Sequence, residues 1–205
     1  MPTIPLDLHG YTELPPGRIA NVVTYLEMAV SPVALPEPAA AAPYRTRSLR
    51  SPSNAWYRAI YRRVGEKWLW FERAVMDDAG LTAWLTAPTT EILALEHDGE
   101  TIGFAELDWS AAGNLEVAMF GVVAEATGQG AAAFLMERVQ ARAKADGVGR
   151  IWLHTCTFDH PAAIPFYRRA GFTPYKIAVE VTPDPRLTGH LPRDAGPHVP
   201  MIEPR

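Results

Sequence analysis

The sequence predicts a mixed α/β sheet whose strands run antiparallel in the first half and alternate with helices in the second. Three observations carry that prediction. Fifteen of the 19 prolines lie in residues 1–52 or 183–205, which leaves a regular middle between two irregular ends. Within that middle, three runs of strand character joined by short links follow one another from Glu91 to Val123. Beyond Val123 the pattern becomes helix, strand, helix, strand.

Residues 1–17 read as an extended N-terminal segment. The run Ala20 to Met28 is the strand candidate of the first part, and the Ala-rich run Pro36 to Pro43 reads as a linker. Past Pro52, Tyr57, Ile60, Tyr61 and Val64 recur at i, i+3, i+4, i+7 and make one apolar helical stripe. A second helical run is expected from Trp68 to Trp84, broken near Gly80. Arg45, Arg47, Arg50, Arg58, Arg62 and Arg63 read as a solvated helix face, with an anion site as the alternative.

Ile92 to Glu96 and Ile102 to Leu107 flank His97-Asp98-Gly99-Glu100, whose Asp-Gly pair is a hairpin signal. A third strand, Leu115 to Val123, completes an antiparallel meander. Then follow a helix (Gly130 to Ala145), a strand (Ile151 to Thr157), a helix (Pro161 to Ala170) and a strand (Phe172 to Val181). Pro165 falls just beyond the first turn if Pro161 opens its helix, so that helix is expected to start late or bend. The main domain is placed at 18–182. Residues 183–205 form a Pro-rich tail, whose Leu187, Leu191, Val199, Met201 and Ile202 are candidates to dock on the body or on a second subunit of a homodimer.

Composition narrows the classes. The 205 residues carry a formal net charge of -4, against the basic excess usual in nucleic-acid binders. No run approaches the roughly 18 apolar residues of a membrane span, and the first residues lack the basic start and apolar core of a signal peptide. The expected partners therefore include neither nucleic acid nor membrane, and the expected location is cytoplasmic. The one cysteine, Cys156, excludes an intramolecular disulfide and a Cys-rich zinc site. It is a nucleophile candidate only if His154, two residues away on the same strand face, serves as its base. Otherwise it is a small buried hydrophobe.

The most informative stretch runs from Val122 into the following helix. Gly128, Gly130, Ala131 and Ala132 let the backbone curl closely and leave N–H groups open at a helix start, where the dipole also favours an anion such as a pyrophosphate. An ordinary Gly-rich helix entry is the alternative. Gly128-Gln129-Gly130-Ala131-Ala132-Ala133 also fits the loose dinucleotide pattern G-x-G-x-x-A. That reading needs a carboxylate ending the next strand, which instead ends in His154-Thr155-Cys156-Thr157. The preceding strands also read as antiparallel, so a doubly wound sheet is not expected.

At these residues the sequence resembles the GNAT superfamily of N-acetyltransferases, in which a strand ending in Val-x-Pro leads into Arg/Gln-x-x-Gly-x-Gly/Ala. Val122-Val123-Ala124 stands at the first part and Thr127-Gly128-Gln129-Gly130-Ala131-Ala132 at the second. A second family motif, Asn-x-x-Ala-x-x-Phe/Leu-Tyr and then Gly-Phe, is similar to His160 through Tyr167 followed by Gly171-Phe172. Thr127 replaces the usual Arg or Gln, and His160 replaces Asn. The resemblance covers most of residues 20–182. It implies the acyl-CoA N-acyltransferase fold, acetyl-CoA as co-substrate with no metal, and a small-molecule or peptide amine as acceptor. It implies further that Val122, Val123, Ala124, Thr127, Gly128, Gln129, Gly130, Ala131, Ala132 and His160 contact the coenzyme.

Acyl transfer by direct attack within a ternary complex then sets three tasks. A base takes the amine proton, a backbone N–H near Val122 stabilises the developing oxyanion, and an acid protonates the departing thiolate. The resemblance assigns the acid to Tyr167, whose reference pKa of about 10 keeps it protonated at neutral pH. Packing against the sheet is the competing role. The resemblance also points to Glu116, six residues before Val122, as the candidate base, with His154 in reserve. Simple alternation puts Glu116, Ala118, Phe120 and Val122 on one face, where apolar neighbours would raise the carboxyl pKa. Trp56, Tyr57, Trp68, Trp70 and Glu27 are candidates to wall the acceptor pocket, against plain core packing. Two other classes stay open, a non-catalytic acyl-CoA-binding module and an NAD(P)-dependent oxidoreductase.

Overall fold

A computed structural model describes residues 5–30 and 43–204, so most of the expected linker lies outside the described residues. Its elements are β1 (Arg18–Ala29), β2 (Tyr44–Leu49), α1 (Asn54–Gly65), α2 (Asp78–Thr86), β3 (Thr90–His97), β4 (Glu100–Asp108), β5 (Asn114–Val122), α3 (Ala131–Ala145), β6 (Arg150–Cys156), α4 (Ala163–Arg169) and β7 (Thr173–Pro183). Residues 5–17 contain neither helix nor strand.

The strands form one seven-stranded sheet in the order β2-β3-β4-β5-β6-β1-β7. β5 and β6 pair in parallel, and the other neighbours pair antiparallel. The β3–β4 hairpin turns at Asp98 and Gly99, both at positive φ, as a two-residue hairpin of this kind requires. β1 lies between β6 and β7, a pairing that joins the two ends of the domain.

Local chemistry explains the helices. Ser53 caps α1 by accepting from the Trp56 N–H, and the stripe Tyr57, Ile60, Tyr61 and Val64 is buried. Asp77 caps α2 by accepting from the Gly80 N–H at 2.7 Å. The expected helix over 68–84 is therefore shorter and later. Glu66–Trp68 is a 3₁₀ turn that ends at Leu69, which has a left-handed φ of 55°, and residues 69–77 are not helical. β2 was not expected. Its arginines Arg45 and Arg47 lie on an edge strand rather than a helix, and its half-exposed pattern hid it among polar residues. α4 begins at Ala163 and carries Pro165 in its first turn, where no intrahelical donor is needed.

α1 and α2 cover one sheet face, and a buried carboxylate ties them to it. Glu106 of β4 is fully buried and accepts from Tyr57 Oη, from Trp84 Nε1 at 3.0 Å and from Arg73 Nε at 3.1 Å. The same contact fixes the 69–77 segment through Arg73. On the opposite face Arg142 of α3 bonds Glu91 of β3, and Phe166 of α4 stacks on Phe120.

The tail folds back as irregular chain. Arg186 donates to Asp184 Oδ1 at 2.9 Å and to the Val199 carbonyl at 2.9 Å, both inside the protein. Ala195 and Val199 are buried with Ile19, Leu69 and Phe158, and Leu191 packs against them, whereas Ile202 is 60% exposed. Gly196 N–H donates to the Glu66 carbonyl at 3.0 Å, so the tail holds the 3₁₀ turn from outside.

Breaking the Glu106 contact leaves Arg73 buried without its carboxylate. Glu106→Ala is expected to lower the unfolding free energy by about 3–5 kcal/mol, measured by urea unfolding. A loss under about 1 kcal/mol would contradict this role.

Candidate active site

The site begins where two neighbouring strands separate. β5 and β6 pair from Asn114↔Arg150 to Val117↔Leu153 and no further, yet they continue to Val122 and Cys156. β5 turns away at a bulge. Glu106 pairs with Met119 and Leu107 with Val117, so Ala118 is the extra residue. A cavity of about 460 Å³ fills the gap. Val123 N–H donates to the Ile102 carbonyl of β4 at 2.8 Å. By strand alternation the Val122 N–H points to the other edge, into the gap.

At one end of the cavity the β5–α3 loop presents bare backbone. Gly128 and Gly130 have φ of 79° and 84°, and a Cβ at either would meet nothing within 4 Å. Left-handed geometry rather than crowding is what requires glycine there. Among the described residues, no backbone acceptor takes the N–H of Gly128, Gly130, Ala131 or Ala132, and Gly130 brings no side-chain cap to α3. The loop is fixed from behind. Tyr44 Oη donates to the Gln129 carbonyl at 2.9 Å, and Gln129 Nε2 donates to the Glu125 carbonyl at 2.6 Å. Thr127, Gly128, Gly130 and Ala132 line the cavity with Val122. Val123 and Ala131 instead point into the core, and Ala124 starts a 3₁₀ turn.

The opposite wall comes from α4 and the loop before it. Tyr167 is 7% exposed, lies edge-on to Phe166 at 5.3 Å and lines the cavity. Burial, and then the charge of Asp159, push its hydroxyl above the usual tyrosine range, so it keeps its proton. His160 Nδ1 accepts from the Ala162 N–H at 3.0 Å, and its ring lies 4.7 Å from that of Trp68. Asp159 accepts from Trp70 Nε1 at 2.8 Å, Thr155 Oγ1 at 2.6 Å and the Cys156 N–H at 2.9 Å. This network bridges the two halves of the sheet, and sequence reasoning missed it because its members are far apart in the chain. Burial, reinforced by Asp159, pushes the Cys156 thiol up to about 12, which removes thiolate nucleophilicity at neutral pH.

The bulge also corrects the expected face of Glu116. Glu116 pairs with Asp108, and Met119 with Glu106, so these four side chains share the α1/α2 face. Phe120 pairs with Ala105 and faces α4. Glu116 therefore does not share a face with Phe120 and does not line the cavity. Its register partners are Asp108 on one side and Trp152 on the other. Burial, then Asp108, then Glu72 raise its carboxyl to about 7. Glu72, in the segment expected to be helical, lines the cavity beside His154, and burial raises its carboxyl too.

Trp68 and Trp70 line the cavity, as do Tyr61 and Phe71. Trp56 and Tyr57 pack in the core, and Glu27 is bound by Arg150 Nε at 2.6 Å. Among the described residues no group of three or more His, Cys, Asp or Glu is placed to hold a metal ion, and no helix is long and apolar enough to cross a membrane.

Comparison with known proteins agrees with this geometry. An uncharacterized N-acetyltransferase of Mycobacterium tuberculosis is 33% identical over 102 residues, 50% of this chain and 65% of that protein. The chain thus spans about two thirds of the length of the curated relatives it matches. Among solved structures, a GCN5-related N-acetyltransferase from Sphaerobacter thermophilus superposes with a TM-score of 0.61 at 18% identity, covering 90% of this chain and 54% of that one. A GCN5-related N-acetyltransferase from Kribbella flavida gives 0.54 at 20% identity, covering 84% and 63%. These likenesses establish the fold. The sequence profile described as the acetyltransferase (GNAT) family matches residues 54–172, across the meander, the glycine loop and α4, and the chain belongs to that family.

Proposed function

We propose that the chain is an N-acetyltransferase that moves an acetyl group from acetyl-coenzyme A to the primary amine of an acceptor by direct attack in a ternary complex. The observation that carries the reading is continuity. One cavity runs from the bare N–H groups at the start of α3 to the gap between β5 and β6. Acetyl-coenzyme A supplies the acyl group already activated as a thioester.

The residues present fit that group. Gly128, Gly130, Ala131 and Ala132 offer backbone donors at a helix N-terminus, which suits a pyrophosphate. Thr127 at the start of the loop adds a hydroxyl and no charge. The Val122 N–H, unpaired toward β6, is oriented to donate to an oxyanion. Tyr167 holds the proton needed by a departing thiolate. Glu116, at about 7 and set back from the cavity wall, takes a proton from the amine through water. The shared acidity of Asp108, Glu72 and Glu116 tunes this base, because each neighbouring negative charge holds its proton on.

A thermal-shift series with acetyl-coenzyme A, coenzyme A, NAD and NADP tests the class. A ligand at a hundred times its dissociation constant stabilises by roughly 2.7 kcal/mol, and only the two coenzyme A species should do so. A shift with NAD instead would overturn the reading. Acetyl transfer to an amine then separates an enzyme from a binding module.

Gly130→Val forces a β-branched residue into a left-handed φ, at a cost of roughly 1–2 kcal/mol. Coenzyme A affinity is expected to fall about tenfold or more by calorimetry, with the chain still folded; an unchanged affinity would remove the loop from the site.

Tyr167→Phe deletes one hydroxyl and keeps the ring. Its turnover number is expected to drop ~10²–10⁴-fold, with coenzyme affinity nearly unchanged. Parent turnover in this variant would reduce Tyr167 to packing.

Only the ionised Glu116 accepts a proton, so kcat/KM is expected to rise with pH through about 7. Asp108→Asn removes a repelling charge, lowers the Glu116 pKa and moves that limb to lower pH. Glu116→Gln abolishes it. A limb that persists in Glu116→Gln would assign the base elsewhere, with His154 next.

A further inference from the structure

Beyond the reacting centre, the cavity has a polar corner that the proposed chemistry does not use. Asn21 of β1 and Glu180 of β7 are direct cross-strand partners, and Asn21 Nδ2 donates to Glu180 Oε2 at 2.8 Å. Asn21 is 2% exposed, and its Oδ1 has no hydrogen-bond partner. With Nδ2 committed to the carboxylate, Oδ1 is the end of the amide left over. A buried acceptor without a donor is unfavourable, and natural structures contain few of them.

Asn21, Glu180, Glu72 and His154 all line the cavity. Among the described residues, no basic side chain forms an ion pair with Glu180. Glu72 has Arg73 at 3.7 Å, whose guanidinium is directed at Glu106, and His154 beside it, whose charge favours the ionised carboxyl. The corner therefore gathers an unpartnered amide oxygen and two carboxylates beside the His154 ring. That set repels anions and matches a cation rich in N–H donors. Glu72 senses the charge of Glu180 on one side and acts on Glu116 on the other, so it links the corner to the candidate base.

Resting on the acetyltransferase reading, we propose that the acceptor is a dication, with one amine reacting near Glu116 and a second cationic nitrogen held by Asn21 Oδ1, Glu180 and Glu72. The second nitrogen belongs either to a small diamine or to a basic side chain of a peptide. Both offer the same donors.

Calorimetric titration of the full chain, with and without coenzyme A, tests this through binding alone. The probes are 1,4-diaminobutane against n-butylamine, and the peptide Ala-Lys-Ala against its norleucine counterpart. At least one cationic probe is expected to bind about tenfold or more tighter than its neutral-ended partner, and which one identifies the source. In Glu180→Gln, which keeps an acceptor for Asn21 Nδ2, the preference is expected to shrink to within about twofold. Glu72→Gln, at a partly exposed side chain, gives the same readout if the first variant does not fold. Equal affinities within both probe pairs, or a full preference retained in both variants, would overturn the proposal. These affinities do not depend on turnover. A preference without acetyl transfer would sink the enzyme reading alone, and transfer without a preference would sink the dication alone.

Discussion

The parallel ladder between β5 and β6 stops at Val117↔Leu153, and the rest of the site depends on that stop. Two strands in register would close every backbone group against each other. Here the bulge at Ala118 adds a residue to β5 and bends it away, so its N–H groups beyond the bulge have no partner on β6. Unpaired strand edges inside a protein are unfavourable unless something covers them. The cavity lies along that open edge, where the proposed coenzyme would supply the missing acceptors. The same bulge turns Glu116 onto the opposite face from Phe120. One inserted residue thus puts Phe120 on the α4 side of the sheet and Glu116 on the acidic side that α1 and α2 cover.

Keeping the gap open takes rigidity on both sides. Glu106 gathers α1, α2 and the irregular 69–77 segment onto β4, and that segment carries Trp70 and Glu72 to the cavity wall. Gly121 helps, because a Cβ there would lie 2.4 Å from Val64 and 3.1 Å from Trp70. On the far side Asp159 collects Trp70, Thr155 and the Cys156 N–H, which pins the end of β6. The tail, locked by Arg186 and Asp184, braces the turn before Trp70 from outside. Beyond the end of the ladder, the 69–77 segment and the chain after β6 meet across the gap through the Trp70 indole and the Asp159 carboxylate.

What was legible in the sequence was local. The Asp98-Gly99 turn, the stripe of α1, the glycine loop before α3 and the late start of α4, at Ala163 just before Pro165, are each written within a few neighbouring residues. What was hidden was non-local or phase-dependent. The placement of β1 between β6 and β7 comes from pairing between the two ends of the domain, and no short window contains it. β2 alternates arginines with small residues, so it read as a solvated surface. Leu69, an ordinary residue at a left-handed φ, ended a helix that hydrophobic spacing alone would have continued. Glu116 was found by its position, but its face depended on a bulge that period-2 reasoning assumes away. Asn21 and Glu180 gave no signal until the strand register brought them together.

In the proposed function, the separated strands and the bare α3 entry form one coenzyme site. Amide resonances followed during titration with coenzyme A test it most directly. The largest shifts are expected on Val122, Gly128, Gly130, Ala131 and Ala132, with Tyr167 affected through its ring environment. Saturable binding that leaves those amides unmoved, or shifts confined to another face of the sheet, would contradict it.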